Sequence, residues 1–319
     1  MQLILAIPLL IVGLAMLVAG GEGLVRGASS LAKRFRISEL IIGLTVVAFG
    51  TSCPELIVNI FASMGGHSEI VFGNIIGSNI FNILVILGIS ALIRPIQVQR
   101  NTVWKEIPFS LVAVVLLLVL VNDKTLWGGD NTLSRIDGMI LLLFFAGFMV
   151  YAIRSAKTSP PQLESVKQYS VPITLLLLAL GFGLLFLGGK LTVDSAVSIA
   201  KQLGISEKLI ALTIIAGGTS LPELATSTIA AYHKKFDIAI GNIVGSNIFN
   251  IFFILGISGV IRGTHFDPMF NIDLWVLILA TIMLFLSMFT GKVRRIDRPE
   301  AVIFLLIYAA YVVLLVFLG

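Results

Sequence analysis

Residues 37–94 read ISELIIGLTVVAFGTSCPELIVNIFASMGGHSEIVFGNIIGSNIFNILVILGISALIR, and residues 205–262 read ISEKLIALTIIAGGTSLPELATSTIAAYHKKFDIAIGNIVGSNIFNIFFILGISGVIR. The two windows align without a gap at an offset of 168, and 32 of their 58 positions are identical. Each carries one carboxylate, Glu55 or Glu223, inside an apolar run long enough to cross a bilayer. An acid held in hydrocarbon is costly and by default marks an ion or substrate pathway. Two such acids in matched settings point to a membrane protein that handles cations.

The rest of the chain agrees with that class. Of its 319 residues, 57% are apolar and only 12% are charged, and the mean hydropathy is +1.04. A soluble domain carries about 25% charged residues. The net charge of +5 could suggest a nucleic-acid partner, but its distribution along the chain excludes one, as set out below. Cys53 is the single cysteine, so there is no intramolecular disulfide framework. The first apolar run, roughly 20 residues, exceeds a signal-peptide core and reads as a true span.

A hydrocarbon core of about 30 Å takes roughly 20 apolar residues per helix. On that basis spans are expected near 2–24, 38–62, 70–93, 106–121, 137–153, 171–192, 206–231, 238–261, 272–290 and 300–318. The fold class is therefore an all-α integral membrane protein with ten transmembrane helices. Its organisation is a first repeat over 1–153, an inner linker over 154–170 with the sequence SPPQ, and a second repeat over 171–319. Five spans per repeat is an odd number, so the second repeat must run inverted relative to the first. Transporters of this plan bind their substrates near the bilayer midplane, between the repeats.

Basic residues set the orientation. With both termini outside, 16 of the 22 Lys and Arg residues fall in inner loops: Arg26, Lys33, Arg34, Arg36, Arg94, Arg100, Lys105, Arg154, Lys157, Lys167, Lys234, Lys235, Lys292, Arg294, Arg295 and Arg298. The expected location is a cell membrane, multi-pass, with the N- and C-termini outside. The positive charge then meets anionic lipid at the inner leaflet. No nucleic acid and no obligate protein partner is indicated, and a monomer suffices. Glu22 and Arg26 sit four residues apart, the spacing of a pair that neutralises itself at a helix end.

The repeated motif has its own chemistry. In GTSCPE (50–55) and GTSLPE (218–223), Pro54 and Pro222 lack an N–H and deprive Gly50 and Gly218 of a helical partner. Helices 2 and 7 should thus be broken near the midplane, where irregular backbone is tolerated only beside a cavity or inside protein. Thr51, Ser52, Thr219 and Ser220 supply hydroxyls in the same turns. Oxygen donors with carboxylates suit hard cations such as Na⁺ and Ca²⁺. The three histidines, His67, His233 and His265, fall in loops, which disfavours zinc or copper.

In GNIIGSNIFN (73–82) and GNIVGSNIFN (241–250), the four-residue spacing aligns Asn74, Ser78 and Asn82 on one helix face, and Asn242, Ser246 and Asn250 on another. These groups either ligate an ion or glue helices together; for Ser78, Asn82, Ser246 and Asn250 ligation is the preferred reading. Gly73, Gly77, Gly241 and Gly245 form small-residue stripes that let helices approach closely.

At these motifs the chain resembles the calcium/cation antiporter superfamily, the sodium/calcium exchanger-like membrane proteins, and the ten-span inverted plan extends the resemblance over the whole chain. The resemblance implies a diamond-shaped site with Glu55 and Glu223 as central ligands and Asn82 and Asn250 at the remaining corners. It further implies Na⁺ positions ringed by Thr51, Ser52, Ser78, Thr219, Ser220 and Ser246 and completed by the carbonyls of Ala48 and Ala216. Asn250 departs from the archaeal pattern, which has Asp there, so this site offers two carboxylates and not three. The function expected is secondary antiport of Ca²⁺ against Na⁺, not enzyme catalysis, with no cofactor and the ions as substrates. Two alternatives stand beside it: the same antiport coupled to H⁺, and a cation channel. An intramembrane hydrolase would need a base beside Ser52 or Ser220, and no His lies in any expected span.

Overall fold

Hydrocarbon cannot hydrogen-bond a bare backbone, so long apolar runs in a membrane close their own N–H and C=O groups as helices. The structure is a computed structural model that describes residues 3–123, 128, 130–158, 167–203, 216–291 and 293–318. It is almost wholly helical. The first repeat contains α1 (Leu3–Phe35), α2 (Glu39–Thr51) with α3 (Cys53–Gly65), α4 (Ser68–Ile93) and α5 (Thr102–Val121), and α6 (Arg135–Thr158). The second contains α7 (Val171–Gln202), α8 (Ala216–Gly218), α9 (Leu221–Tyr232), α10 (Phe236–Ile261) and α11 (Pro268–Ser287), and α12 (Arg298–Leu318).

Eight described helices are long and apolar enough to span a bilayer, or nine if the bent pair α2–α3 counts as one span. The remaining expected span, 206–231, begins among residues 204–215, which lie outside the described residues. The two spans expected to be shortest are longer than the apolar pattern implied. Near its start α5 makes a π turn over Thr102–Glu106 that buries Thr102, Val103 and Glu106, and Glu106 accepts a hydrogen bond from Tyr151 on α6. Before the hydropathy boundary, Lys105 finds a partner on α6, its ammonium 5.8 Å over the Tyr151 ring. The 33 residues of α1 reach about 50 Å at 1.5 Å per residue, so α1 runs well beyond the hydrocarbon core.

The inversion is visible in how equivalent helices lie. Gln99, just past the C-terminal end of α4, donates to Asp237 at the start of α10 across 2.5 Å, and Arg94 donates to the carbonyl of Tyr232 across 3.0 Å. At the opposite ends, the Arg262 guanidinium packs against Gly66, the residue of left-handed φ (+77°) that closes α3. Thus α4 and its copy α10 run antiparallel. Short ribbons repeat the relation: β1 (Ile96–Gln97) pairs with β4 (Arg295–Ile296) at one face, and β2 (Thr132–Leu133) pairs with β3 (Thr264–His265) at the other. β1 and β3 occupy equivalent positions at the offset of 168, yet cap opposite faces.

The core of the molecule is α4 and α10. Of their apolar windows 78% and 83% is buried, against 11–39% for the other long helices. Gly241 and Gly245 press α10 onto α2: a Cβ at either would fall 2.8 Å from a carbonyl oxygen, of Leu40 or of Leu44. Around this core α1 and α7 lie antiparallel along one another. A Cβ at Gly20 would meet the Leu185 nitrogen at 2.8 Å and the Gly181 oxygen at 2.9 Å, so only glycine permits the approach. The ion pair Glu22–Arg26 forms as its spacing suggests, at 2.6 Å, and Glu22 also meets His233 at 2.6 Å, tying α1 to the end of α9.

The ribbons make a direct test. In a Cys53→Ser background, Gln97→Cys with Arg295→Cys and Thr132→Cys with His265→Cys should each form a disulfide on mild oxidation, since each pair is directly cross-strand. An impermeant thiol reagent applied to sealed vesicles should label the reduced pairs from opposite sides; labelling of both from one side would break the inverted plan.

Candidate ion-binding site

The breaks fall where proline dictates. Ser52 (φ −82°, ψ 7°) separates α2 from α3, and the two segments meet at a 48° bend. Ser220 (φ −86°, ψ 7°) occupies the same place before α9. Glu55 and Glu223 thereby sit in the first turns of α3 and α9, where unpaired N–H groups favour negative charge. Both side chains are 1% exposed. No ion pair to either exists among the described residues.

What holds the glutamates is a ring of hydroxyls drawn from both repeats. Ser52 Oγ donates to Glu223 Oε1 at 3.0 Å and Ser220 Oγ donates to Glu55 Oε1 at 3.2 Å, each bond crossing from one repeat to the other. Ser78 donates to Glu55 Oε1 and Ser246 to Glu223 Oε1, both at 3.4 Å. Thr51 donates to Asn242 Oδ1 at 3.0 Å and, in mirror, Thr219 donates to Asn74 Oδ1 at 3.4 Å. Every bond has its counterpart at the offset of 168, so a pseudo-twofold axis passes between the glutamates.

The sequence-derived candidates therefore converge. Thr51, Ser52, Glu55, Ser78 and Asn82 of one repeat, and Ser220, Glu223, Ser246 and Asn250 of the other, are all buried in one cluster, with Thr219 partly buried beside them. Ala48 is buried too, its carbonyl accepting the Ser52 N–H at 3.0 Å and the Thr51 hydroxyl at 3.4 Å. Ala216 is the first residue of α8, and its side chain lies outside the described residues. Asn74 and Asn242 act as glue: Asn74 Nδ2 donates to Asn59 Oδ1 at 2.7 Å and Asn242 Nδ2 to Ser227 Oγ at 2.9 Å.

Four buried oxygens in this cluster have no hydrogen-bond partner among the described residues: Glu55 Oε2, Glu223 Oε2, Asn82 Oδ1 and Asn250 Oδ1. They form two symmetry-related pairs. A buried acceptor without a donor costs roughly 1–3 kcal/mol, more when charged, and four together are an oxygen-only donor set for a hard cation. No group of three or more His, Cys, Asp or Glu side chains is placed to hold a metal ion among the described residues, and oxygen donors are not the ligands that softer metals prefer. A cavity of about 240 Å³ between α7, α3 and α9, lined by Lys190, Asp194, Pro54, Thr219 and Pro222 among others, leads to the edge of the cluster.

Two features escaped the sequence. Asn79 and Asn247, buried at the axis, bond to each other and to Asn82 and Asn250; their identity in both copies was the available signal. The π turns at Asn82–Ile86 and Phe249–Leu255, in equivalent places, left no mark in residue type.

The family model described as sodium/calcium exchanger protein matches residues 5–154 and 173–317. The chain is 36% identical to the inner membrane protein YrbG of Escherichia coli, covering 99% of this chain and 97% of that one. It is 30% identical to the sodium/calcium exchanger MaX1 of Methanosarcina acetivorans, over 97% and 98%. Among solved structures, the sodium-calcium exchanger NCX_Mj soaked with Na⁺ and Sr²⁺ superposes with a TM-score of 0.82 at 34% identity, over 98% of this chain and 99% of that chain. With its inverted helical repeats and paired broken helices, the chain belongs to the sodium/calcium exchanger family of membrane antiporters and is a transporter, not an enzyme.

Proposed function

We propose that the chain exchanges Ca²⁺ for Na⁺ across a cell membrane, and that the four oxygens of Glu55, Glu223, Asn82 and Asn250 hold the Ca²⁺. The observation that carries this reading is their shared lack of any hydrogen-bond partner among the described residues, in a fully buried, twofold arrangement. Thr51, Ser52, Ser78, Thr219, Ser220 and Ser246, with the carbonyls of Ala48 and Ala216, flank them with neutral oxygens suited to Na⁺. Because the two ions draw on overlapping oxygens, they bind in turn and not together, which is the requirement for obligatory exchange.

Charge sets the stoichiometry. Two carboxylates are balanced by one Ca²⁺ or by two Na⁺, whereas a third Na⁺ would bring an uncompensated charge into a low-dielectric site. Exchange of two Na⁺ per Ca²⁺ follows. The face that carries the β1–β4 ribbon gathers Arg100, Lys234, Lys235 and Arg294 around one cavity, and we take it as the cytoplasmic side, with both termini outside. The long glycine-packed pair α1 and α7 is the element free to shift against the core, since both ribbons tie the core helices together.

Proteoliposomes loaded with Na⁺ should take up ⁴⁵Ca²⁺ when diluted into Na⁺-free medium, and Glu55→Gln or Glu223→Gln should each reduce the initial rate by about a hundredfold or more. Uptake driven by a pH gradient alone would transfer the coupling role to H⁺. Steady-state Ca²⁺ gradients should follow the square of the Na⁺ gradient and stay unchanged when a K⁺–valinomycin potential is imposed; a voltage-dependent end point with three Na⁺ per Ca²⁺ would overturn the two-carboxylate balance.

A further inference from the structure

Asn79 and Asn247 are not among the oxygens that face the glutamates, yet they are as deeply buried, at 0% and 2% exposed. Asn79 Nδ2 donates to the backbone carbonyl of Asn247 at 3.2 Å, and Asn247 Nδ2 donates to the backbone carbonyl of Asn79 at 3.4 Å. Asn250 Nδ2 donates to Asn79 Oδ1 at 2.8 Å, and Asn82 Nδ2 donates to Asn247 Oδ1 at 2.9 Å. These four bonds form a closed clasp across the axis.

An asparagine amide has two nearly isosteric orientations, and only its partners decide between them. Here the decision starts from the main chain. A backbone carbonyl can only accept, so Asn79 and Asn247 must each present their NH₂ group to it. Their Oδ1 atoms are then fixed as acceptors on the other edge. Asn250 and Asn82 must in turn present NH₂ to those acceptors, which leaves their own Oδ1 atoms turned away from the clasp. Those are the two amide oxygens without a partner among the described residues. They lie one helical turn beyond Ser246 and Ser78, on the helix faces that bond the glutamates.

We infer that Asn79 and Asn247 are positioning residues that lock the amides of Asn250 and Asn82 with oxygen, not nitrogen, offered to the ion. This rests on the cation-site reading above. Without the lock, either amide can turn over and present an N–H dipole to a cation, which repels it. The clasp acts on binding through the neighbouring amide alone: Asn79 through Asn250, and Asn247 through Asn82. It also joins α4 to α10 at the axis, which bears on stability and not on the choice of amide edge.

A double-mutant cycle separates this role from plain stabilisation. The full-length protein, purified in detergent, is titrated with CaCl₂ in Na⁺-free buffer while its unfolding temperature is followed. Asn79→Ala should raise the half-saturating Ca²⁺ by about tenfold in the wild-type background and by less than about twofold in an Asn250→Ala background. The mirror cycle, Asn247→Ala with Asn82→Ala, should give the same pattern. Should Asn79→Ala unfold, Asn79→Leu, which keeps the volume, takes its place. Equal losses in both backgrounds, or a lower unfolding temperature with unchanged half-saturation, would overturn the positioning role while leaving the cation site standing. A wild-type protein whose unfolding temperature ignores Ca²⁺ and Na⁺ alike would instead remove the cation site, and the lock with it.

Discussion

Two carboxylates lie buried within hydrogen-bond reach of the same pair of broken helices, and no lysine or arginine is paired with either among the described residues. Buried charge without a counter-charge is costly in a membrane interior, and here serine and threonine hydroxyls and helix starts soften it. The remaining architecture follows from that constraint. The helices must break so that backbone dipoles and hydroxyls reach the acids. The breaks must be enclosed by other protein so that no irregular backbone meets lipid. The enclosing elements, α4 and α10, must be the most buried of the long helices, as they are among the described residues.

Inversion solves the enclosure problem with one set of parts. Because α4 and α10 run antiparallel, the start of each meets the end of the other, and Ser52 and Ser220 can each cross the axis to the opposite glutamate. A parallel duplication would have placed both breaks at the same depth but with their dipoles pointing the same way. The ribbons β1–β4 and β2–β3 then close the two faces with residues from both repeats. The α1–α7 pair is held differently, by glycine-mediated contact along its length and by the Glu22–His233 contact at one end.

Much of this was legible in the sequence because the two copies still agree at 32 of 58 positions. Glu55, Glu223, Ser52, Ser220, Ser78 and Ser246 were identified from motif chemistry, and the structure brings them into one cluster. The breaks were legible because Pro54 and Pro222 each remove one defined hydrogen bond. Helix lengths were less so: hydropathy ended the first span near residue 24, while α1 continues to Phe35, since a helix can outrun the bilayer once its polar residues find water or partners. The π turns were not legible, because one extra residue per turn depends on tertiary packing and not on residue type. Asn79 was not legible either, since it lies off the four-residue face of Asn74, Ser78 and Asn82, and a clasp across the axis exists only where two distant copies of one helix meet.

The crossing bond from Ser220 to Glu55 spans 165 residues of chain, and this has a meaning for biosynthesis. A ribosome adds roughly 5–20 residues per second, so Glu55 enters the membrane about ten to thirty seconds before its partner hydroxyl has been made. Throughout that interval the first half holds an acid whose ring is incomplete. It must carry a proton or stay near water until α9 arrives. The second half faces a far shorter wait, since Ser52 is already in place when Glu223 is inserted and Ser246 follows only 23 residues later. Two halves that look equivalent in the finished protein are thus unequal during assembly, and the first is the one that must wait longer for its partner.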